Sequence, residues 1–296
     1  MSPQNTARAP RRAFQRATRS TPGRLFGWLP RLVIWLFVGF NLVVLAITLL
    51  SSVKTTKDIF AAPLGLPTTW EWGNWSTAWS NSGFAVGAIN SLIVVGSASI
   101  AVVAIAAPAA YALSRMNVRW AKQLSTAFVL GIGIPPHIII IPLFIEFSQL
   151  GLINSKLGLI IVYTGVSLPF AVFLLTGFMA AVPKEIEEAA SLDGAGPIAT
   201  LVRIFLPTVR NGLLTVFIIT AVSLWNEVLI ALTFVQSNDN FTLGFSLMSL
   251  LSAIQYSGAD YGLLFAGVGI MLVPMLLLFV LLRRFVIEGM TLGVGK

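Results

Sequence analysis

The sequence predicts an all-α, polytopic membrane protein with six transmembrane helices and both termini cytoplasmic. Three observations carry this prediction: the composition, a set of long apolar runs, and the placement of the cations. Of the 296 residues, 56% are hydrophobic and 10% are charged, whereas a soluble domain carries about a quarter charged residues. The mean hydropathy is +0.88. A soluble fold of this size needs a charged surface, and this chain has too few charges to make one. A bilayer is the expected solvent.

The apolar runs are roughly 32–50, 84–113, 121–147, 157–181, 213–235 and 261–282. About 20 helical residues cross the hydrocarbon core, so each run is long enough. The first follows a basic stretch, as a signal peptide does. Its length, and the polar "LLSSVKTTK" that ends it, read as a retained first helix.

Sixteen of the nineteen basic residues fall inside if the amino terminus is inside: Arg8 to Arg31, then Arg115, Arg119, Lys122, Lys184, Arg203, Arg210, Arg283, Arg284 and Lys296. Lys54, Lys57 and Lys156 remain outside. This asymmetry sets the expected orientation. It divides the chain into a basic cytoplasmic arm, 1–31, a six-helix membrane domain, 32–284, and a cytoplasmic tail, 285–296. The net charge of +8 is concentrated in that arm, with seven arginines. It points to anionic lipid headgroups and not to nucleic acid. There is no cysteine and one histidine, His137. Thiol chemistry, disulfides and a histidine metal cluster are excluded, and no metal or cofactor is expected.

Between the runs, two outer loops stand out. Residues 51–83 hold Trp70, Trp72, Trp75 and Trp79 among prolines and glycines. They read either as an interfacial aromatic belt or as a docking surface for an external partner. Residues 236–260 have an apolar middle and no basic residue, which suggests a short helix dipping back towards the membrane.

The inner segment 182–212 does not read as a slack linker. Pro183 suits a helix start. Glu185, Glu187 and Glu188 favour the positive end of the helix dipole. Gly194 and Gly196 are suited to stop the helix in a left-handed conformation. Pro197 starts a second short helix that Pro207 closes. Ile186, Ala190 and Leu192 are expected to share one face, opposite the glutamates. A lever with a small-residue notch and a solvated helical loop are both open readings from the residues alone.

Glu188-Ala189-Ala190, three residues, Gly194, nine residues, and Ile204-x-Leu206-Pro207 match the EAA motif of ABC importer permeases. The segment resembles the loop by which those subunits engage their ATPase. "NSLIV" at Asn90, "AAYALSR" ending at Arg115, "LGLINS" ending at Ser155, "LPFAVFLL" at Leu168 and "WNEVLIAL" at Trp225 are similar to the carbohydrate-uptake branch. Within it they resemble the second permease of a maltose-type system. The tail "EGMTLGVGK" departs from the family's usual last residues.

The resemblance implies a type I ABC importer permease fold in a cell (plasma or inner) membrane. It implies uptake of a di- or oligosaccharide or a related polyol or glycerol-phosphate compound. It also implies three partners: a second homologous permease, a dimer of cytoplasmic ABC ATPases and an extracytoplasmic sugar-binding protein. The ATPase-coupling residues it implies are Glu188, Ala189, Ala190, Asp193, Gly194, Ile204, Leu206 and Pro207, within a loop spanning 183–211.

The chain itself shows no nucleotide site and is not expected to be an enzyme. A P-loop needs G-x-x-x-x-G-K-[ST]. Six positions before Lys296 stands Met290, and no Ser or Thr follows. Within the spans, polar residues are functional candidates by default. Glu227, Asn226, Tyr163 and Asn90 are the candidates for a substrate pathway. A structural network between helices is the competing reading, with Glu227 bonded to a hydroxyl or backbone group. His137 follows Pro135-Pro136, which interrupt the third run, and has no carboxylate near it in sequence. Half of an ion-coupled transporter, an importer permease for another solute and a scaffold without a cavity are the alternative functions.

Overall fold

The computed structural model describes residues 28–115, 119–257 and 260–294, the last by backbone alone from 282 onwards. The chain forms two units, Met1–Ala46 and Ile47–Lys296. All regular structure among the described residues is helical.

The first unit holds most of α1, Leu29–Ser51. Its side chains are exposed on every side, including Trp35, Phe37 and Phe40. A helix apolar all round needs lipid or a partner around it. Residues 1–27, most of the basic arm, lie outside the described residues.

The second unit takes the last residues of α1, then α2 (Thr56–Ala61), α3 (Gly73–Asn81), the long α4 (Phe84–Arg115) and α5 (Ala121–Ile132). A 3₁₀ turn, Pro136–Ile139, leads into α6 (Ile140–Gln149), followed by α7 (Lys156–Ala180), α8 (Lys184–Leu192) and α9 (Pro197–Thr200). A π-helical stretch, Leu201–Phe205, joins α9 to α10 (Leu206–Thr208). Then come α11 (Arg210–Trp225), α12 (Leu229–Phe234), α13 (Leu243–Ser257) and α14 (Tyr261–Val294).

Among the described residues, four helices are long and apolar enough to cross a membrane, and two bent pairs bring the number of candidate spans to six. The third run is such a pair: Ala121–Ile132 and Pro136–Gln149 meet at 90°. Pro135 and Pro136 supply no N–H and disfavour helix in the residue before them, so the helix stops there.

The fifth run corrects its expectation. It is not one helix over 213–235. Pro197–Thr208 and Arg210–Trp225 form a pair bent by 75°, and the chain breaks again before α12. At that second break Asn226 Nδ2 donates back to the Val222 carbonyl at 2.8 Å. The side chain thus competes with the backbone for a helical acceptor. The second run extends to Arg115, and the last helix continues to Val294, through most of the residues assigned to a tail.

Packing centres on α4 against α7. Val94, Ala98, Val102, Ala106 and Ala110 recur every fourth residue along α4, and all are fully buried. Neighbours at a spacing of four lie about 40° apart around the helix, so together they form a slowly winding stripe. Their small size lets a neighbouring backbone approach closely, which favours helix association in lipid. Two cores flank this seam. One gathers Phe84, Tyr163, Trp225, Phe234 and Leu243. The other, nearer the basic end of α4, gathers Tyr111, Leu175, Met179, Phe205 and Val216.

The Trp-rich segment is folded. Lys54 is fully buried, and its Nζ donates to the carbonyls of Ala62 and Pro63, both at 3.1 Å. Trp75 Nε1 donates to Ser52 Oγ at 2.9 Å. Trp70 and Trp72 stack with centroids 5.9 Å apart and stay exposed, as does Trp79. The apolar middle of 236–260 is helical, as α13.

Candidate functional site

The α8–α9 hairpin gathers the motif residues at the end of the unit that carries Arg115, Lys184, Arg203 and Arg210. Pro183 sits just before the helix with extended backbone, and Glu185 and Glu187 fall in the first turn, where the dipole favours carboxylates. The helix ends as a Schellman motif. The Ala195 N–H donates to the Ala190 carbonyl at 2.9 Å, and the Gly194 N–H to the Ser191 carbonyl at 3.1 Å. Gly194 has φ +75°, which only glycine adopts without strain. Gly196 has φ −72° and does not share that role. It precedes Pro197, where extended backbone is preferred.

The faces of α8 differ from expectation. Ala190 is buried, whereas Leu192 is 89% exposed and Ile186 lies at the surface. Two residues are 200° apart on a helix of 3.6 residues per turn, so Ala190 and Leu192 cannot share a face. Glu188, Ala189, Asp193 and Gly194 are exposed. Ile198, 79% exposed, and Val202 extend the apolar tip from the other arm.

Behind the tip the hairpin is anchored. Phe205 is fully buried and meets the Tyr111 ring edge-on, with centroids 4.9 Å apart. Ile204 and Leu206 pack at the margin of the same core, and Pro207 is exposed. Without an N–H, Pro207 cannot donate to the carbonyl four residues back. The widened π turn lies just before it. Beside the hairpin, a cavity of about 1150 Å³ is lined by Leu113, Lys122, Phe128, Thr176, Phe178 and Asn211, among others.

The four pathway candidates occupy different surroundings. Asn90 is buried and donates to the carbonyls of Asp239 at 2.8 Å and Phe241 at 2.9 Å. Beside it, the Leu243 N–H donates to Ser91 Oγ at 2.8 Å. Together they fasten the 236–243 segment to α4. Asn226 is exposed at the break after α11.

Tyr163 and Glu227 come together: the buried phenol donates to Glu227 Oε2 at 2.8 Å. The same carboxylate accepts the Ile230 N–H at 2.8 Å and the Ala231 N–H at 3.4 Å. Glu227 thereby supplies acceptors for the first turn of α12, whose N–H groups have no helical partner. His137 Nε2 lies 3.9 Å from Glu227 Oε1. Local sequence gave no sign of this proximity, because 90 residues separate the two.

Asn154 was also missed. Its backbone has φ +55°, and its Oδ1 accepts the N–H groups of Gln236 and Ser237 at 3.0 and 2.9 Å. The Gly151-to-Asn154 turn chemistry was the available signal. Among the described residues no cluster of His, Asp or Glu is placed to hold a metal.

Fold and site together define a polytopic, helical membrane protein with an anchored hairpin whose tip is apolar and exposed. Residues 101–291 match the family of the binding-protein-dependent transport system inner membrane component, and the chain belongs to that family. It is a permease component and not a catalyst.

The chain is 33% identical to the diacetylchitobiose uptake system permease protein NgcG of Streptomyces coelicolor, over 83% of this chain and 81% of that one. It is 30% identical to the inner membrane ABC transporter permease protein YcjP of Escherichia coli, over 95% and 98%. The fold is similar to a chain of a bacterial ABC transporter involved in import of the acidic polysaccharide alginate. That match has a TM-score of 0.74 and 18% identity, and covers 88% of this chain and 96% of that one.

Proposed function

We propose that this chain is one of two homologous permease subunits of an ATP-driven sugar importer, with both termini and the α8–α9 hairpin in the cytoplasm. Its further partners are a dimer of ABC ATPases inside and a sugar-binding protein outside. The observation that carries the reading is the exposed tip of Ala189, Leu192 and Ile198 on a hairpin anchored through Ala190 and Phe205. Exposed apolar residues on an otherwise polar hairpin favour a protein contact. The cation asymmetry favours the cytoplasmic side for it.

In this scheme ATP closes the ATPase dimer and the dimer carries the hairpin with it. The membrane helices then rock from inward-facing to outward-facing. The binding protein releases its sugar into the shared pathway, and hydrolysis resets the gate. This chain contributes the moving wall and the lever, and makes or breaks no covalent bond.

The sugar class rests on relatives such as NgcG and the melibiose/raffinose/stachyose import permease protein MelC of Bacillus subtilis, which is 28% identical to this chain. A di- or oligosaccharide is therefore the proposed cargo. The Glu227 carboxylate does not favour an ion-coupled mechanism, since it is engaged by Tyr163 and two backbone N–H groups.

Vesicle uptake of a panel of labelled di- and oligosaccharides tests the proposal. Uptake is expected to require internal ATP and to survive an uncoupler. Uptake that collapses with the ion gradient would replace this reading with a secondary transporter.

A further inference from the structure

Arg115, the last residue of α4, is buried where an arginine is costly. Its side chain is 4% exposed, and it lies among Tyr111, Met179, Val182 and Phe205, all buried. A guanidinium removed from water must have its donors engaged. Nε donates to the Met179 carbonyl at 3.1 Å, and Nη2 donates to the carbonyls of Met179 and Val182. Nη1 stands 3.9 Å from Glu187 Oε2. The guanidinium also lies over the Phe205 ring, 5.2 Å from its centre.

These contacts join α4 to three other elements. Met179 lies in the last turn of α7 and Val182 in the turn just after it, where carbonyls lack α-helical donors. Glu187 is on α8, Phe205 is in the π stretch, and Arg115 itself ends α4. Packing through Ala190 alone resists separation but permits sliding, because dispersion contacts have little direction. A planar fork bonded to two carbonyls fixes an angle as well as a distance.

We infer that Arg115 is the joint that makes α4, the end of α7, α8 and the 201–205 stretch move as one block. It is a positioning residue: it meets neither the sugar nor the ATPase, and it transmits the displacement of α8 into spans two and four. The inference rests on the coupling role proposed above. Without Arg115 the hairpin still docks, but it moves apart from the helices it should carry.

The test uses the assembled complex with its ATPase and partner permease in lipid nanodiscs. The absence of cysteine in this chain allows labels at chosen positions. A pair at Glu185→Cys on α8 and Ile105→Cys on α4, both exposed, reports the distance across the joint by spin-label spectroscopy. A separate Ile198→Cys variant reports docking by ATP-dependent crosslinking to the ATPase.

In the native background the 185–105 distance is expected to be narrow and equal with and without ATP. In Arg115→Met it is expected to broaden and to shift with ATP by about 2 Å or more, on the scale of helix shifts in switching proteins, while crosslinking persists. Arg115→Lys lacks the fork and is expected to behave like Arg115→Met. Glu187→Gln keeps the carbonyl bonds and should give a smaller shift. A nucleotide-independent distance in Arg115→Met, with docking intact, overturns the joint and leaves the coupling reading standing. Absence of crosslinking in the native background overturns the coupling reading and the joint with it.

Discussion

Two interruptions of helix in this molecule solve opposite problems. At the α8–α9 turn, Glu188, Ala189, Asp193 and Leu192 point away from the protein, and the backbone closes on itself through the Schellman bonds at Ala190 and Ser191. At the break between α11 and α12, the carboxylate of Glu227 turns inward and takes the Tyr163 phenol and two N–H groups. A break bathed in water can leave its side chains outward. A break whose side chains turn into the protein must find its partners there. In the proposed scheme the first is gripped by a partner, whereas the second is held by the fold. Substitutions should therefore damage transport at the first and stability at the second.

Gly194→Asp tests the outward break most severely. A side chain at φ +75° is strained, and a new charge lands beside the apolar tip. Sugar uptake by vesicles is expected to fall by ~10-fold or more, about 1.4 kcal/mol of lost coupling, with the complex still assembled. Normal ATP-driven uptake would remove the hairpin from the mechanism.

Glu227→Leu tests the inward break. It strands two N–H groups and a phenol, each at a cost of about 1–3 kcal/mol. The purified complex should melt at a clearly lower temperature, and an unchanged melting point would show that the break is not held by the carboxylate. Tyr163→Phe removes one hydrogen bond and leaves the two backbone bonds. Its melting shift should be smaller, in keeping with about 1 kcal/mol.

The mildest effect is expected in the Trp-rich segment. The Thr68 hydroxyl and N–H donate to Asp58 Oδ2 at 2.7 and 3.1 Å, and these bonds hold its carboxyl below the usual carboxylate range. The folded value is depressed, so the contribution is present above the unfolded value, near 3.9, and is lost as pH falls through the folded one. Thr68→Val should speed proteolysis within 58–68 at neutral pH, and the difference from the native chain should vanish in strong acid. A difference that persists there would assign it to packing.

The exposed site was the legible one. Motif residues from Glu188 to Pro207 are close in sequence, and turn chemistry at Gly194 is local, so residue types and spacing suffice to locate the hairpin. Which face of α8 is buried depends on what lies beneath it, but that Leu192 lies opposite Ala190 follows from helix geometry alone. The spans were legible from apolar length, but the end of α11 at Trp225 was not. The apolar run resumes at Val228, so its length hides the break, which follows from Asn226 and Glu227 competing for backbone groups. Long-range pairs were invisible: His137 with Glu227, Asn154 with the 236–240 turn, and Arg115 with three other elements. Each joins residues that only the helix packing brings together.

In the proposed scheme the tip of the hairpin lies inside the cell under an ATPase. Leu192→Cys, the sole thiol of its chain, can be challenged with a membrane-impermeant maleimide in inside-out and right-side-out vesicles. Labelling is expected only in inside-out vesicles stripped of the ATPase, with protection when the ATPase is restored. Labelling from the outer face, or equal labelling with the ATPase bound, would contradict it.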